Sequence, residues 1–153
     1  MSLIRPIAIA TAVAGTLDIC AAMLVTLIYG RHVEGMLRYV ASGPFPGATG
    51  WGAGGALLGL AVHYALMALM AGLYLVAARE LPGLRRSPLL WGVVYGVVTY
   101  LAMNLVVVPL RFGTGFPPSL IGFATQFSFH VLLVGIPIAL IAARYACPSA
   151  DRT

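Results

Sequence analysis

The run GAGGALLGLAVHYALMALMAGLYLVAA, residues 52–78, contains no Asp, Glu, Lys or Arg. At 1.5 Å per residue it makes a helix of about 40 Å, longer than the roughly 30 Å apolar core of a bilayer. Three further runs have the same character, at 6–28, 88–110 and 118–145. They are free of Lys and Arg but for Arg144 at the end of the last, and each meets the roughly 20 residues that a transmembrane helix needs. Prolines stand at the start of three of them (Pro6, Pro88 and Pro118), where a missing N–H costs least.

Composition points the same way. Of 153 residues, 61% are hydrophobic and 8% charged, against roughly a quarter charged in an ordinary soluble domain. The mean hydropathy is +0.98. A soluble chain this short leaves much of its surface wet and cannot hide so many apolar side chains. The expected fold is therefore all-α: a single four-transmembrane-helix bundle, with the lipid bilayer as its partner and solvent. The first run also has the Arg5, apolar stretch and small residues of a signal peptide. Asp18 inside it, and its length, favour a retained span.

The net charge is +5 and every cation is Arg. The arginines stand singly at the ends of apolar runs, which fits topology signals and lipid phosphate better than nucleic acid. Absence of Lys excludes Schiff-base chemistry. The N-terminus, second loop and C-terminus carry Arg5, Arg79, Arg85, Arg86, Arg144 and Arg152; the first and third loops carry Arg31, Arg38 and Arg111. The positive-inside rule then puts both termini in the cytoplasm. Tyr29, Trp51, Phe112 and Phe116 fall at the outer interface and Trp91 near the inner one. Cys20 and Cys147 lie at different depths, which disfavours a disulfide.

The first outer loop is the long one. Val33, Met36, Leu37 and Val40 have helical spacing and predict a short amphipathic helix lying flat in the interface, either a lid or a connector. Gly43-Pro44-Phe45-Pro46-Gly47 breaks it. Small residues four apart (Gly55/Gly59, Ala68/Gly72, Gly92/Gly96, Gly135/Ala139) predict close helix contacts, within one bundle or between copies of a homo-oligomer. Pro137 predicts a kink in the fourth span.

Polar groups inside the spans are costly and normally face the bundle interior. They are Asp18 on the first, His63 on the second, Tyr95, Thr99 and Asn104 on the third, and Gln126 and His130 on the fourth. Counted from the outer ends, Asp18, His63 and His130 lie about 15, 16 and 18 Å deep, with Thr99 near the same level. Two imidazoles at one depth suit haem b or a transition metal, with an outer arginine (Arg31, Arg38 or Arg111) for haem propionates. Adding Asp18 makes a His, His, carboxylate metal set. The same three residues equally suit a proton relay in a transporter or channel. Thr99, Asn104 and Gln126 are supporting polar groups, and interhelical hydrogen bonding accounts for the amides without any site. Phe123, Phe127 and His130 share one helix face, and His63, Met67 and Met70 another; a flat cofactor or plain packing would each use such walls. No nucleophile elbow, phosphate loop, CxxC or HExxH is present.

Three segments resemble a family of uncharacterised bacterial inner-membrane proteins that includes YagU. They are His63-Tyr64 running through Ala71-Gly72-Leu73-Tyr74 to Ala78-Arg79-Glu80-Leu81-Pro82, then Met103-Asn104-Leu105-Val106-Val107-Val108-Pro109-Leu110, then His130-Val131. The resemblance covers the last three spans, and the first only through Gly15. It implies an inner-membrane location and a histidine at the equivalents of His63 and His130, with no match for Asp18 and no established reaction. The leading expectation is cofactor binding for redox or electron transfer. Proton- or ion-coupled transport comes second, and a non-catalytic assembly or scaffold subunit third.

Overall fold

The computed structural model describes residues 2–113 and 119–145, and among these there is helix and turn but no strand. Among the described residues four helices are long and apolar enough to cross a membrane: α1 (Ile4–Ile28), α3 (Gly52–Glu80), α5 (Pro88–Phe112) and α6 (Leu120–Tyr145). Two short helices join them, α2 (Val33–Ala41) and α4 (Pro82–Arg86). Local chemistry sets the ends. Pro88 opens α5, the Ser119 hydroxyl accepts the Gly122 N–H at the start of α6, and Gly113 ends α5 with φ of 63°. Pro118, the expected start of the last span, and Cys147 lie outside the described residues; Cys20 is a free, exposed thiol.

α1 packs on α3 and α6, and α5 lies against α6. Their common core is built from small side chains: Ala10 and Ala14, Ala71 and Ala78, Ala139 and Ala142, filled out by Leu75, Val134 and Ile138. Such small side chains let the helix backbones approach closely. α5 and α6 approach each other backbone to backbone. A Cβ on Gly96 would lie 2.5 Å from the Val131 Cα and 2.6 Å from the His130 carbonyl oxygen, and one on Gly135 would overlap the Gly92 carbonyl. The Gly92/Gly96 and Gly135/Ala139 pairs therefore face each other. Ala68/Gly72 is looser, with the Ile7 Cδ1 at 4.0 Å from a Cβ added to Gly72.

Both α5 and α6 contain a widened π turn, at Ala102–Val107 and at His130–Gly135. Each ends two residues before a proline, Pro109 or Pro137. A proline offers no N–H, and its ring crowds the carbonyl four residues back; a wider turn relieves the crowding. The irregularity expected at Pro137 thus takes the form of a π turn beginning at His130, and Pro109 has a counterpart.

α2 is where the spacing of Val33, Met36 and Leu37 put it. Its apolar face packs onto the bundle: Leu37 is buried against Ile19 and Ala56, with Val33 and Met36 beside it. Gly59 makes this possible, since any Cβ there would overlap the Leu37 carbonyl; Gly55 does the same for the Ala48 carbonyl, on the 3₁₀ turn Pro46–Gly50. The far end of α2 is held by α5. The Arg111 guanidinium donates to the Ser42 carbonyl at 2.7 Å and to the Gly43 carbonyl, a cation at a helix C-terminus, and Tyr39 stacks on Phe112 at 4.6 Å. Glu34 and Arg38 pair along the exposed face at 2.6 Å.

Candidate functional site

Under α2 lies a cavity of about 470 Å³, bounded by α1, α3, α6 and Met103 of α5. One face of α1 lines it, from Asp18 through Ile19, Ala22 and Val25 to Tyr29. Tyr29, Arg31 and Tyr39, all exposed, stand at its mouth. Asp18, His63 and His130 line it further in. Counted from the observed helix ends Ile28, Gly52 and Leu120, these three lie about 15, 16 and 15 Å along their helices, a closer match than the sequence boundaries allowed. Beyond them, among the described residues, Leu66, Met67 and Met70 of α3 continue the wall. No residue of α1 before Asp18 or of α6 after His130 takes part, because the alanine-rich core fills that end of the bundle.

Both imidazoles are almost fully buried, at 7% and 9% exposure for His63 and His130. Each has one nitrogen on a main-chain carbonyl. His63 Nε2 lies 2.9 Å from the Gly15 oxygen, and His130 Nδ1 lies 3.0 Å from the Gln126 oxygen one turn earlier. A carbonyl only accepts, so these nitrogens carry hydrogen, and in the neutral rings the lone pairs sit on His63 Nδ1 and His130 Nε2. The neighbouring Tyr64 hydroxyl is 2.8 Å from the Thr16 hydroxyl. Consecutive residues of α3 thus grip consecutive residues of α1, and this fixes the register that brings Asp18 to the level of His63. Gly15 is bare because a Cβ there would meet the Tyr64 ring at 2.9 Å. On its other side His130 meets the Tyr100 ring edge-on at 5.7 Å, in a cluster with Phe123 and Phe127.

Asp18 is different. Its carboxylate is within electrostatic reach of both His130 and His63, yet it has no hydrogen bond to any described residue. It faces the cavity instead. Among the described residues no three His, Cys, Asp or Glu side chains are grouped closely enough to hold a metal ion.

The supporting polar groups divide. Gln126 lines the cavity; Thr99 and Asn104 do not. The Thr99 hydroxyl donates to the Gly96 carbonyl at 3.0 Å, and the Asn104 amide to the Tyr100 carbonyl at 3.0 Å, both within α5. Thr99 also lies about 20 Å from the Phe112 end of α5, deeper than the histidines. Of the three candidate propionate partners, Arg31 borders the cavity, Arg38 is paired with Glu34, and Arg111 is occupied by the α2 carbonyls. Sequence reasoning missed Tyr64, Thr16 and the Gly15 carbonyl. The adjacency of His63 and Tyr64 was the available signal, since two polar side chains in succession on a span both need partners. Comparison with family models, curated proteins and solved structures finds no match to this chain.

Proposed function

We propose that this chain is an integral protein of the bacterial inner membrane, crossing it four times with both termini in the cytoplasm, and that it is a proton-linked transporter acting through Asp18, His63 and His130. A belt of exposed apolar side chains supports the membrane reading. Leu57, Leu73, Leu89 and Ile121 are each at least 60% exposed, which suits lipid far better than water. The distribution of arginines supports the orientation, in which the mouth of the cavity opens to the outer side. The resemblance to the YagU-containing family belongs to the same proposal. So does a homo-oligomer, for which Ala68/Gly72 is the small-residue pair not taken up in close contacts within the chain.

The observation that carries the transport reading is the unsatisfied carboxylate of Asp18. A carboxylate in an apolar bundle is expensive, and a structural one would be bonded to its neighbours. This one is left open to a cavity, with two titratable rings beside it. Such a group takes up and releases protons with access from one side, while the packed core closes the other. The π turns beside Pro109 and Pro137 are the natural bending points for exchanging access. The test is proton movement into liposomes carrying the full chain and an entrapped pH dye. Under an imposed pH gradient, wild type is expected to dissipate the gradient faster than empty liposomes, and Asp18→Asn and His63→Ala to return the rate to the empty level. Equal rates for all three would reject the reading.

One observation favours the second reading, haem b or a transition metal between His63 and His130. Both rings donate one N–H to a carbonyl, as ligating imidazoles usually do. Arg31, which borders the cavity, would be the cation for a propionate. The group would supply redox chemistry when bound. An absorption spectrum and metal analysis of purified protein decide it, and absence of both a Soret band and stoichiometric metal would reject it.

A further inference from the structure

The chemistry of the cavity wall goes further than its three ionisable groups. We propose that the cavity binds a lipophilic organic cation, its charge at Asp18 and its body against the apolar and aromatic wall, in exchange for a proton. This deepens the proton-linked reading and rests on it.

Three features of the wall converge on that class. The carboxylate has no bonding partner among the described residues and opens onto the cavity. Around it the wall is apolar and soft: Ile19, Ala22, Val25, Met67, Met70 and Met103. Methionine is flexible and polarisable, and fits ligands of varied shape. Tyr29, Tyr39 and Phe129 add aromatic rings, whose faces attract a cation, more so when it is poorly hydrated. An inorganic cation would instead want a cage of six or more oxygens; beside the carboxylate this wall offers the Thr125 and Gln126 side chains, with the Thr26 hydroxyl turned back to the Ala22 carbonyl. The volume, about 470 Å³, lies in the range that takes drug-sized ligands.

Exchange follows from charge. The titratable and charged groups on the cavity are Asp18, His63, His130, Tyr29, Tyr39 and Arg31, with α5 contributing only Met103. An organic cation cannot share the site with a proton on Asp18 and is repelled by a charged imidazole. When it binds, the carboxylic O–H bond breaks, the proton leaves to water through the mouth, and an ion pair replaces it. Arg31 is exposed at the mouth, on the water side of the cavity wall.

The probe is tetraphenylphosphonium, titrated into the detergent-purified full chain. Saturable binding is expected at alkaline pH, weakening as pH falls, and at the lower pH, where Asp18 still carries its proton, addition of the cation is expected to release protons into a lightly buffered solution. Asp18→Asn is expected to weaken binding by at least about tenfold and Asp18→Glu to preserve it. Ala22→Trp fills the cavity and leaves the carboxylate in place; it is expected to abolish binding even if Asp18→Asn proves unstable. Binding indifferent to both Asp18→Asn and Ala22→Trp would mean partition into detergent and would overturn the inference. No saturable binding by folded wild type, with proton flux in liposomes still dependent on Asp18, would overturn the inference and leave the proton-linked reading standing. Loss of both would overturn both.

Discussion

Replacing Gly96 by Ala adds one methyl group, and its cost is readable from the α5–α6 crossing. The new Cβ would lie 2.5 Å from the Val131 Cα and 2.6 Å from the His130 carbonyl oxygen. Both are main-chain atoms, so no rotamer change relieves the overlap. The helices must part by about 1 Å to restore ordinary contact, and such overpacking costs about 1–3 kcal/mol. Against this stands the better helix propensity of Ala, worth about 0.5–1 kcal/mol. Gly54→Ala isolates that second effect, because a Cβ at Gly54 meets nothing within 4 Å. Propensity cancels in the difference between the two variants, leaving about 1–3 kcal/mol, or roughly 5- to 150-fold in the unfolding equilibrium. Reversible unfolding in mixed micelles, followed by circular dichroism, measures it. The separation also displaces the start of the His130 π turn, so proton flux should fall in Gly96→Ala and stay intact in Gly54→Ala. If the two variants unfold within about 0.5 kcal/mol of each other, the backbone contact assigned to Gly96 is wrong.

Gly59→Val should lift α2 off α3, since its side chain occupies the place of the Leu37 carbonyl; faster proteolysis between residues 31 and 50 is the readout. Arg111→Ala should loosen the other end of α2 and raise proteolysis there, whereas Glu34→Gln, which touches only an exposed pair, should leave it near wild type. Tyr64→Phe should cost about 1 kcal/mol in the same unfolding assay through loss of the Thr16 bond, and Thr16→Val in the same background should add little more. A hydrophobic carbodiimide, which modifies protonated carboxyls, should label Asp18 in membranes with a yield that falls as pH rises; peptide mass mapping that finds Asp18 unmodified at every pH would count against an accessible carboxyl.

The four long helices were legible in the sequence because long apolar runs with at most one charged residue leave few alternatives, and the observed helices differ from the expected runs by two residues or fewer at the ends that are described. Depth was legible for the same reason, since a helix converts residue count into distance. That is why Asp18, His63 and His130 could be set at one level before any geometry was known. What a helix does not convert is azimuth. Thr99 looked like a candidate by depth and type and Asn104 by type, yet both turn back to carbonyls of α5. The small-residue pairs marked close approach without naming the partner, and Gly55/Gly59 proved to receive α2 and its loop rather than another span. The role of Arg111 depends on the ends of α2 and α5 meeting, a contact between residues 68 and 69 positions apart that no local pattern encodes. The carbonyl of Gly15 has no sequence signature at all, since every residue has one.

The central claim is that Asp18 shares one cavity with His63 and His130 and feels both. Infrared titration of the protonated carboxyl band, assigned by its loss in Asp18→Asn, tests this directly. The account predicts that the titration midpoint of Asp18 shifts when His63 is replaced by Ala and shifts again, independently, when His130 is replaced. A midpoint unmoved by either replacement in folded protein would place the carboxylate away from both rings and contradict the account.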